Sequence, residues 1–376
     1  MFSIPTLVSL LLLAVPKATL ASPCITFDAS FNLLAFGFDG KDYNAGTQDT
    51  WASGTATDIT ATGRPPFDGT NTTCYLSQFF NAVYVIDGDK ANPSNVHIYD
   101  AGSKSWTTQQ TTAGTFDPTS YHAILDHDTN VFYAVSKSEL FFLDMSSLTA
   151  ANSTPLPWVD VGATPYDKSY SPVMALAQNH IHFLDVPGNS AGMADIFVIH
   201  FSFFQPEAQS YSPSFPASHG QTTSFFQTTG VQQEFAFIPD DFSNVWVINV
   251  ETNSTSTLAA PTSKDTGASY AASITALVQL DSTGAVSFIP YKQGDATTNS
   301  AQTWTTVKGL AALSPASSSS SAPGTSGSSG TGKPTGSASH SASVSQQTTG
   351  SPSSAMSTTV SVGVVAGAVF AALAAL

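Results

Sequence analysis

Five aspartates each follow a short apolar run, and carboxylates placed in this way could perform acid–base chemistry. They are Asp39, Asp87, Asp185, Asp240 and Asp281. Two carboxylates across a cleft can act as general acid and general base in glycoside hydrolysis. Aspartate is also a common turn residue that accepts hydrogen bonds from nearby backbone amides, so a repeated aspartate can simply repeat a turn. We favour the turn interpretation and assign no catalytic residue from the sequence.

Histidines offer a second possible chemistry. His180 and His182 alternate along a predicted strand and share a face, so with Asp185 they could hold a metal ion. A two-residue spacing is common by chance, however, and no cluster of cysteine or glutamate supports it. His122 and His127 bracket the sequence HAILDH, which we interpret as a turn. We therefore predict no metal site and no cofactor, and we identify no ligand-binding residue.

Other catalytic and binding motifs are missing from the sequence. It contains no GxSxG nucleophile motif and no Walker or Rossmann glycine pattern. Arg64 is the single arginine, and the net charge is −15. Nucleic-acid binding needs clustered cations, so a nucleic-acid partner is excluded.

The N-terminus predicts secretion. Residues 1–21 contain an apolar run from Val8 to Val15 and end in small residues before Ser22. This is the pattern of a cleaved signal peptide, and the run is too short to span a bilayer.

The C-terminus predicts a lipid anchor. Residues 353–376 end in a weakly hydrophobic tail with no basic residue after it, a pattern typical of glycosylphosphatidylinositol (GPI) attachment. Ser353 is the preferred attachment (ω) site, with Gly350 and Ser354 as alternatives. Residues 314–352 are almost entirely Ser, Thr, Gly, Ala and Pro, which predicts an extended, O-glycosylated stalk.

Residues 22–313 remain as the folded domain, and their sequence suits an oxidising compartment. Cys24 and Cys74 are the only cysteines and are predicted to form one disulfide. N-glycosylation sequons occur at Asn71, Asn152 and Asn253.

A repeat fills this domain. Six β-rich runs align on Leu33, Ala82, Val131, Ile181, Phe235 and Val286, at spacings of 49, 49, 50, 54 and 51 residues. The second to fifth units each contain about four short strand patterns separated by turn residues. Four strands per repeat of this length predict an all-β fold, a β-propeller of six four-stranded blades, with seven possible. The sixth unit shows one strand pattern fewer than the others, so we expect it to lack a strand, and the closure of the ring stays open.

One unit resembles a known blade type. Residues Gly88 to Thr108 (GDKANPSNVHIYDAGSKSWTT) resemble a Kelch or galactose-oxidase-type blade, with Tyr99, Asp100 and Trp106 in the matching order. The resemblance implies a propeller scaffold. It does not extend to the copper-radical chemistry of that group, which needs a free cysteine, because both cysteines here are expected to pair with each other.

The layout of signal, domain, stalk and anchor resembles that of fungal GPI-anchored surface proteins. It implies a location at the extracellular face of the plasma membrane or in the cell wall, with the protein held to the membrane only by the lipid. We also expect a monomer. The function that we expect is a non-catalytic binding or adhesion module whose partner is a wall glycan or an extracellular protein. The alternative is a carbohydrate-active hydrolase that uses carboxylates at the propeller mouth.

Overall fold

The computed structural model describes residues 22–311 and 313, and over these residues the chain folds as a six-bladed β-propeller. Blade 1 comprises β1 (Cys24–Phe27), β2 (Leu33–Phe38), β3 (Lys41–Asn44) and β4 (Thr57–Asp58). Blade 2 comprises β5 (Thr73–Ser77), β6 (Ala82–Ile86), β7 (Val96–Asp100) and β8 (Ser105–Gln109), and β9 (Thr111–Thr112) follows it. Blade 3 comprises β10 (His122–Asp126), β11 (Val131–Ser136), β12 (Glu139–Asp144) and β14 (Val159–Ala163), with β13 (Leu156–Pro157) paired to β9.

The second half of the ring repeats this plan. Blade 4 comprises β15 (Val173–Ala177), β16 (His180–Leu184), β17 (Met193–Val198) and β18 (Phe203–Phe204), with β19 (Gln209–Ser210) also paired to β17. Blade 5 comprises β20 (Gly220–Ser224), β21 (Glu234–Pro239), β22 (Val245–Asn249) and β23 (Ser254–Leu258). Blade 6 comprises β24 (Ser269–Ala272), β25 (Ala276–Leu280), β26 (Val286–Pro290) and β27 (Thr305–Thr306). The helices are α1 (Ala296–Ser300) and α2 (Lys308–Ala311), with single 3₁₀ turns at Gln48–Thr50, Gln78–Phe80 and Ile199–Phe201.

Every blade runs outward in the same order, and this sets the two ends of the molecule. The first strand of each blade is innermost and packs beside the first strands of its neighbours. All first strands therefore begin at one end of the central channel, which we call the upper rim. The turns between second and third strands and the segments between blades lie at this rim. The turns between first and second strands, and between third and fourth, form the opposite end, the lower face.

The core is divided among the six spaces between adjacent blades. Each space holds one cluster of buried side chains contributed by the two blades that face each other. Second strands such as Leu33–Phe38 and Ala82–Ile86 are buried along their whole length, because a neighbouring blade covers each face. This explains why their sequences are continuous apolar runs and not alternating ones.

Blade 6 has four strands, so the expectation that it lacks one is wrong. The sixth alignment anchor, Val286, lies in the third strand of its blade, whereas the other five lie in second strands. The true second strand of blade 6 is Ala276–Leu280. Phe288-Ile289-Pro290 repeats the Phe237-Ile238-Pro239 of blade 5, and this local similarity shifted the alignment by one strand.

The ring closes by packing of blade 6 against blade 1. First strands β24 and β1 are in contact, and the last segment of the domain reinforces the junction. The backbone amide of Lys308 donates to the carbonyl of Trp51 at 2.9 Å, while Val307 and Leu310 are wholly buried in the cluster shared by the two blades.

The predicted disulfide between Cys24 and Cys74 is confirmed. It joins the innermost strands of blades 1 and 2 at the upper rim, with a Cα–Cα distance of 5.8 Å.

The single arginine has a structural role in blade 1. Arg64 donates from Nε and Nη2 to both oxygens of the buried Asp42 carboxylate, at 2.9 and 2.7 Å.

The lower end of the channel is covered by side chains. The ring of Phe226, from blade 5, lies 5.6 Å from that of Phe31 in blade 1 and 4.6 Å from that of His127 in blade 3. The most exposed phenylalanines also lie on the lower face: Phe79, Phe80, Phe201 and Phe203. Among the described residues, no helix is long and apolar enough to span a membrane.

Candidate functional site

The five repeated aspartates lie at the upper rim, one on the turn after the second strand of blades 1, 2, 4, 5 and 6. In four of these blades the hairpin register places the aspartate opposite the residue that precedes the first strand. The opposed pairs are Thr72 with Asp87, Pro172 with Asp185, His219 with Asp240, and Ala268 with Asp281. The repeat therefore brings carboxylates to one end of the channel, which spacing alone could not establish.

Two of the five carboxylates bind backbone amides, Asp87 in the segment that precedes the first strand of its blade and Asp281 in its own turn. Asp87 Oδ2 accepts the backbone amide of Asn71 at 2.7 Å, and Asp281 Oδ1 accepts the amides of Thr283 and Ala285 at 2.9 and 3.0 Å. The backbone conformation gives a further reason why aspartate occurs at three of these positions. Asp39, Asp87 and Asp185 adopt a left-handed conformation with φ between 49° and 55°, which aspartate tolerates better than most residues.

Asp240 is different, because the residue opposite it is a histidine. His219 Nδ1 lies 2.9 Å from Asp240 Oδ2, and the backbone amide of Asp240 donates to the carbonyl of His219 at 3.0 Å. The backbone contact and the side-chain contact fix the ring against the carboxylate. The Nε2 atom of His219 is left pointing towards the neighbouring blade.

In that blade, the hydroxyl of Ser171 lies next to this nitrogen. Its Oγ lies 3.4 Å from His219 Nε2 and 3.5 Å from His122 Nε2. The three residues enter the first strands of blades 3, 4 and 5, so consecutive blades present them side by side at the upper rim. We call His122, Ser171, His219 and Asp240 the rim cluster.

Charge and desolvation act on the groups of this cluster. Desolvation on the cleft wall, and then the charge of His219, lower the pKa of His122, so its imidazole is neutral at pH 7. Partial burial raises the pKa of Asp185, and the negative charge of Asp240 raises it further. The nearby imidazole of His219 lowers this pKa, but the net shift is upward. The carboxylate of Asp185 accepts no hydrogen bond from the described residues, as is also true of Asp39.

A cleft of about 570 Å³ opens beside the rim cluster, between blades 3 and 4. His122 and Ser171 form part of its wall. The rest is built from the blade 3 turn around Lys137 and from the inter-blade segment 164–172, which carries Tyr166 and Tyr170. Hydroxyls, imidazoles and aromatic rings therefore meet in one concave surface. The arrangement can bind polar ligands and can move a proton between the Ser171 hydroxyl and His219.

The other histidines that the sequence singled out lie elsewhere. His182 is buried between blades 4 and 5, its ring 5.5 Å from Phe235, and His180 Nδ1 contacts the carbonyl of Gln178. Within residues 22–311, no group of three or more His, Cys, Asp or Glu side chains is arranged to hold a metal ion. His122 and His127 bracket strand β10, so their interpretation as flanking a turn is wrong.

Ser171 and His219 escaped the sequence analysis, although a signal for them was present. The spacing is 49 residues from His122 to Ser171 and 48 from Ser171 to His219. These values are close to the repeat length, so the three residues lie within two positions of the start of the first strand in successive blades. A search for polar residues at the repeat period would have found them.

The asparagines of all three sequons are exposed, and their glycosylation stays a prediction. The signal peptide, stalk and anchor segments, including Ser353, lie outside the described residues.

No protein-family model matches this chain, and the comparison with curated proteins gave no match either.

Proposed function

We propose that this protein is an extracellular binding or adhesion module, displayed at the cell surface or wall, that holds a glycan at its upper rim. The observation that carries the proposal is the cleft between blades 3 and 4, which lies at the end of the channel where the inter-blade segments converge. A concave surface with a few polar groups among aromatic rings is the usual form of a ligand site.

The chemistry of the cleft suits a sugar. Tyr121, Tyr166 and Tyr170 supply aromatic surface, and Ser120 and Ser169 supply hydroxyls. Aromatic faces pack against the apolar faces of sugar rings, while serine hydroxyls both donate to and accept from sugar hydroxyls. Lys168, on the same wall, adds a flexible ammonium donor.

The address is inferred from the sequence. A signal peptide, a Ser/Thr-rich stalk and a GPI-attachment signal would present the propeller outside the cell. Its Gly88–Thr108 unit is similar to a Kelch-type blade, and Tyr99 and Trp106 pair across β7 and β8 in the buried space between blades 1 and 2. The similarity supports a common blade plan and carries no implication for the ligand.

A glycan-retention assay tests the proposal. The purified full-length protein is incubated with a panel of insoluble wall polysaccharides, and both the protein retained and the sugar released are measured. We expect retention that falls at least several-fold in Lys168→Ala. The matched control is Lys104→Asn, at an exposed lysine on the lower face. Asparagine is chosen because the backbone of Lys104 is left-handed and asparagine tolerates this conformation. Equal retention of the two variants would refute a ligand site in the cleft.

One observation favours a second candidate function, carboxylate-based glycoside hydrolysis. Asp185, whose pKa is raised, lies at the same rim as Asp240, whose charge it senses. A carboxyl with a raised pKa can act as the general acid of such a reaction, with a second carboxyl as its base or nucleophile. Release of reducing sugar that disappears in Asp185→Asn would support it, and retention without release would exclude it for the polysaccharides in the panel.

A further inference from the structure

Three side chains of the rim cluster form a continuous polar array. Asp240 Oδ2 lies 2.9 Å from His219 Nδ1, and His219 Nε2 lies 3.4 Å from Ser171 Oγ. A carboxylate, an imidazole and a hydroxyl in this order are the components of an activated serine nucleophile, and such groups are recognised by geometry, not by sequence order. The serine–imidazole contact is long, as catalytic contacts often are before substrate binds.

We propose that Ser171 is the nucleophile of an ester hydrolase at the upper rim, with His219 as its general base and Asp240 as the residue that positions His219. This reaction would take place at the upper rim, where we also propose that a glycan binds. It stands on the geometry of the three residues and does not require the retention of a polysaccharide.

The hydrogen-bond partners define the protonation states. With the Asp240 carboxylate at Nδ1, His219 carries its proton on that nitrogen and leaves Nε2 free to accept. The hydroxyl of Ser171 can then donate to Nε2. His122 Nε2 also lies 3.5 Å from Ser171 Oγ, and in the tautomer with its proton on Nε2 the imidazole of His122 donates to that oxygen.

An oxyanion donor is available, although not in the form that a nucleophile elbow uses. The residue after Ser171 is Pro172, which has no backbone N–H to offer. His122 Nε2, 3.5 Å from Ser171 Oγ on the side away from blade 5, takes this place, and the backbone N–H of Ser171 donates to no other described group. Imidazole N–H groups are established oxyanion donors.

The exposure of the site limits the substrate class to esters. His219 and Asp240 side chains are 44% and 40% exposed, so water weakens the field that activates the serine. Esters have better leaving groups than amides and tolerate that weaker activation. The cleft beside Ser171 has tyrosine rings and hydroxyls on its walls, which suits a short acyl ester carried on a hydroxyl group of a glycan.

The reaction balances with water as the only co-reactant. Ser171 Oγ forms a bond to the carbonyl carbon while its proton passes to His219 Nε2, and the oxyanion faces His122. The carbon–oxygen bond to the alcohol then breaks, and the proton on His219 passes to the departing oxygen. Water attacks the acyl-serine with His219 again as base, and the products are a carboxylic acid, an alcohol and the original Ser171 hydroxyl.

Covalent labelling and turnover test the proposal together. The full-length protein is treated with a fluorophosphonate probe, the labelled peptide is identified by mass spectrometry, and p-nitrophenyl acetate hydrolysis is measured in parallel. We expect label on Ser171, and loss of labelling and of at least 90% of the hydrolysis in Ser171→Ala. The matched control is Ser300→Ala, an exposed serine of helix α1, outside the cleft and the rim cluster, whose Oγ donates to the carbonyl of Thr297 and contacts no histidine. This control is expected to label and turn over as the unaltered protein does.

Variants of the partners separate chemistry from structure. We expect His219→Gln to lower kcat at least 10-fold, and Asp240→Asn to lower kcat several-fold, both with unchanged KM and unchanged thermal unfolding. A general loss of structure would instead change unfolding and lower labelling in parallel.

Two outcomes would overturn the proposal. One is hydrolysis and labelling in Ser171→Ala equal to those of the unaltered protein, and the other is the absence of both from the unaltered protein. Either leaves the retention assay interpretable, because binding needs no nucleophile, so failure of this inference is distinguishable from failure of the proposed function.

Discussion

Removal of the disulfide between Cys24 and Cys74 should destabilise the propeller by an amount set mainly by the length of chain it encloses. The bond joins the first strands of blades 1 and 2, and both cysteines are buried among aromatic side chains of the same inter-blade cluster. The variant of choice is Cys24→Ala/Cys74→Ala. Alanine leaves no unpaired hydroxyl in an apolar space, whereas serine would.

The magnitude follows from the sequence separation of 50 residues. Cross-linking a loop of that length removes enough entropy from the unfolded chain to stabilise the fold by about 4 kcal/mol at 25 °C. The blades themselves remain intact in the variant, because each is a complete four-stranded meander with its own hydrogen bonds.

Urea unfolding followed by tryptophan fluorescence measures the loss. Three samples should coincide near 4 kcal/mol below the oxidised protein: the double variant, the single variant Cys24→Ala, and the unaltered protein with a reductant. They should coincide because the single loss of a sulfur, the double loss and reduction all open the same loop.

A loss below about 1 kcal/mol for all three would refute the loop-entropy reasoning, since it would mean that the unfolded chain already holds these strands together. A loss confined to the double variant would assign the effect to packing in the cluster and not to the cross-link.

Three further predictions concern the closure of the ring, the single arginine and a buried histidine. Leu310→Ala should lower the free energy of unfolding in urea by about 3 kcal/mol, because removal of a wholly buried leucine at the junction of blades 6 and 1 leaves a cavity. Lys308→Ala, at an exposed residue of the same helix, should not change it measurably. Equal losses in the two variants would contradict this explanation. Arg64→Met should cost about 3 kcal/mol in the same assay, because it leaves the buried Asp42 carboxylate without its counter-charge; a neutral result would mean that water reaches Asp42. Burial lowers the pKa of His182 to about 3, while in the unfolded chain it stays near 6.5, so stability should fall by about 1.4 kcal/mol per unit as pH drops from 6.5 towards 3. Denaturation midpoints at pH 7 and pH 4.5 check this, and His182→Gln should flatten the dependence.

Much of the fold was accessible from local patterns. The β-rich runs aligned on Ala82, Val131 and Ile181 all lie in strands, because apolar, β-branched segments bounded by Asp, Asn and Gly carry their own turn signals. The register of the sixth unit was not accessible in the same way. Second and third strands of a blade are both buried, so the apolar pattern of Val286–Pro290 fits either position.

The candidate site was predicted only in part. The aspartates were found by their recurrence after strands, and the structure separates them by environment. Asp87 and Asp281 accept backbone amides, whereas Asp240 contacts a histidine. No local pattern distinguishes these cases, because the difference lies in the residue across the hairpin.

Composition, periodicity and the two cysteines were sufficient to predict an all-β propeller of six blades with one disulfide, because strands and turns are encoded over stretches of about ten residues. The rim cluster needed the closed ring. His122, Ser171 and His219 are separated by 49 and 48 residues, and they meet only because three blades of similar length start their first strands at the same end of one channel. Side-chain chemistry between blades depends on how the blades pack around the axis, and that arrangement exists only in the folded chain.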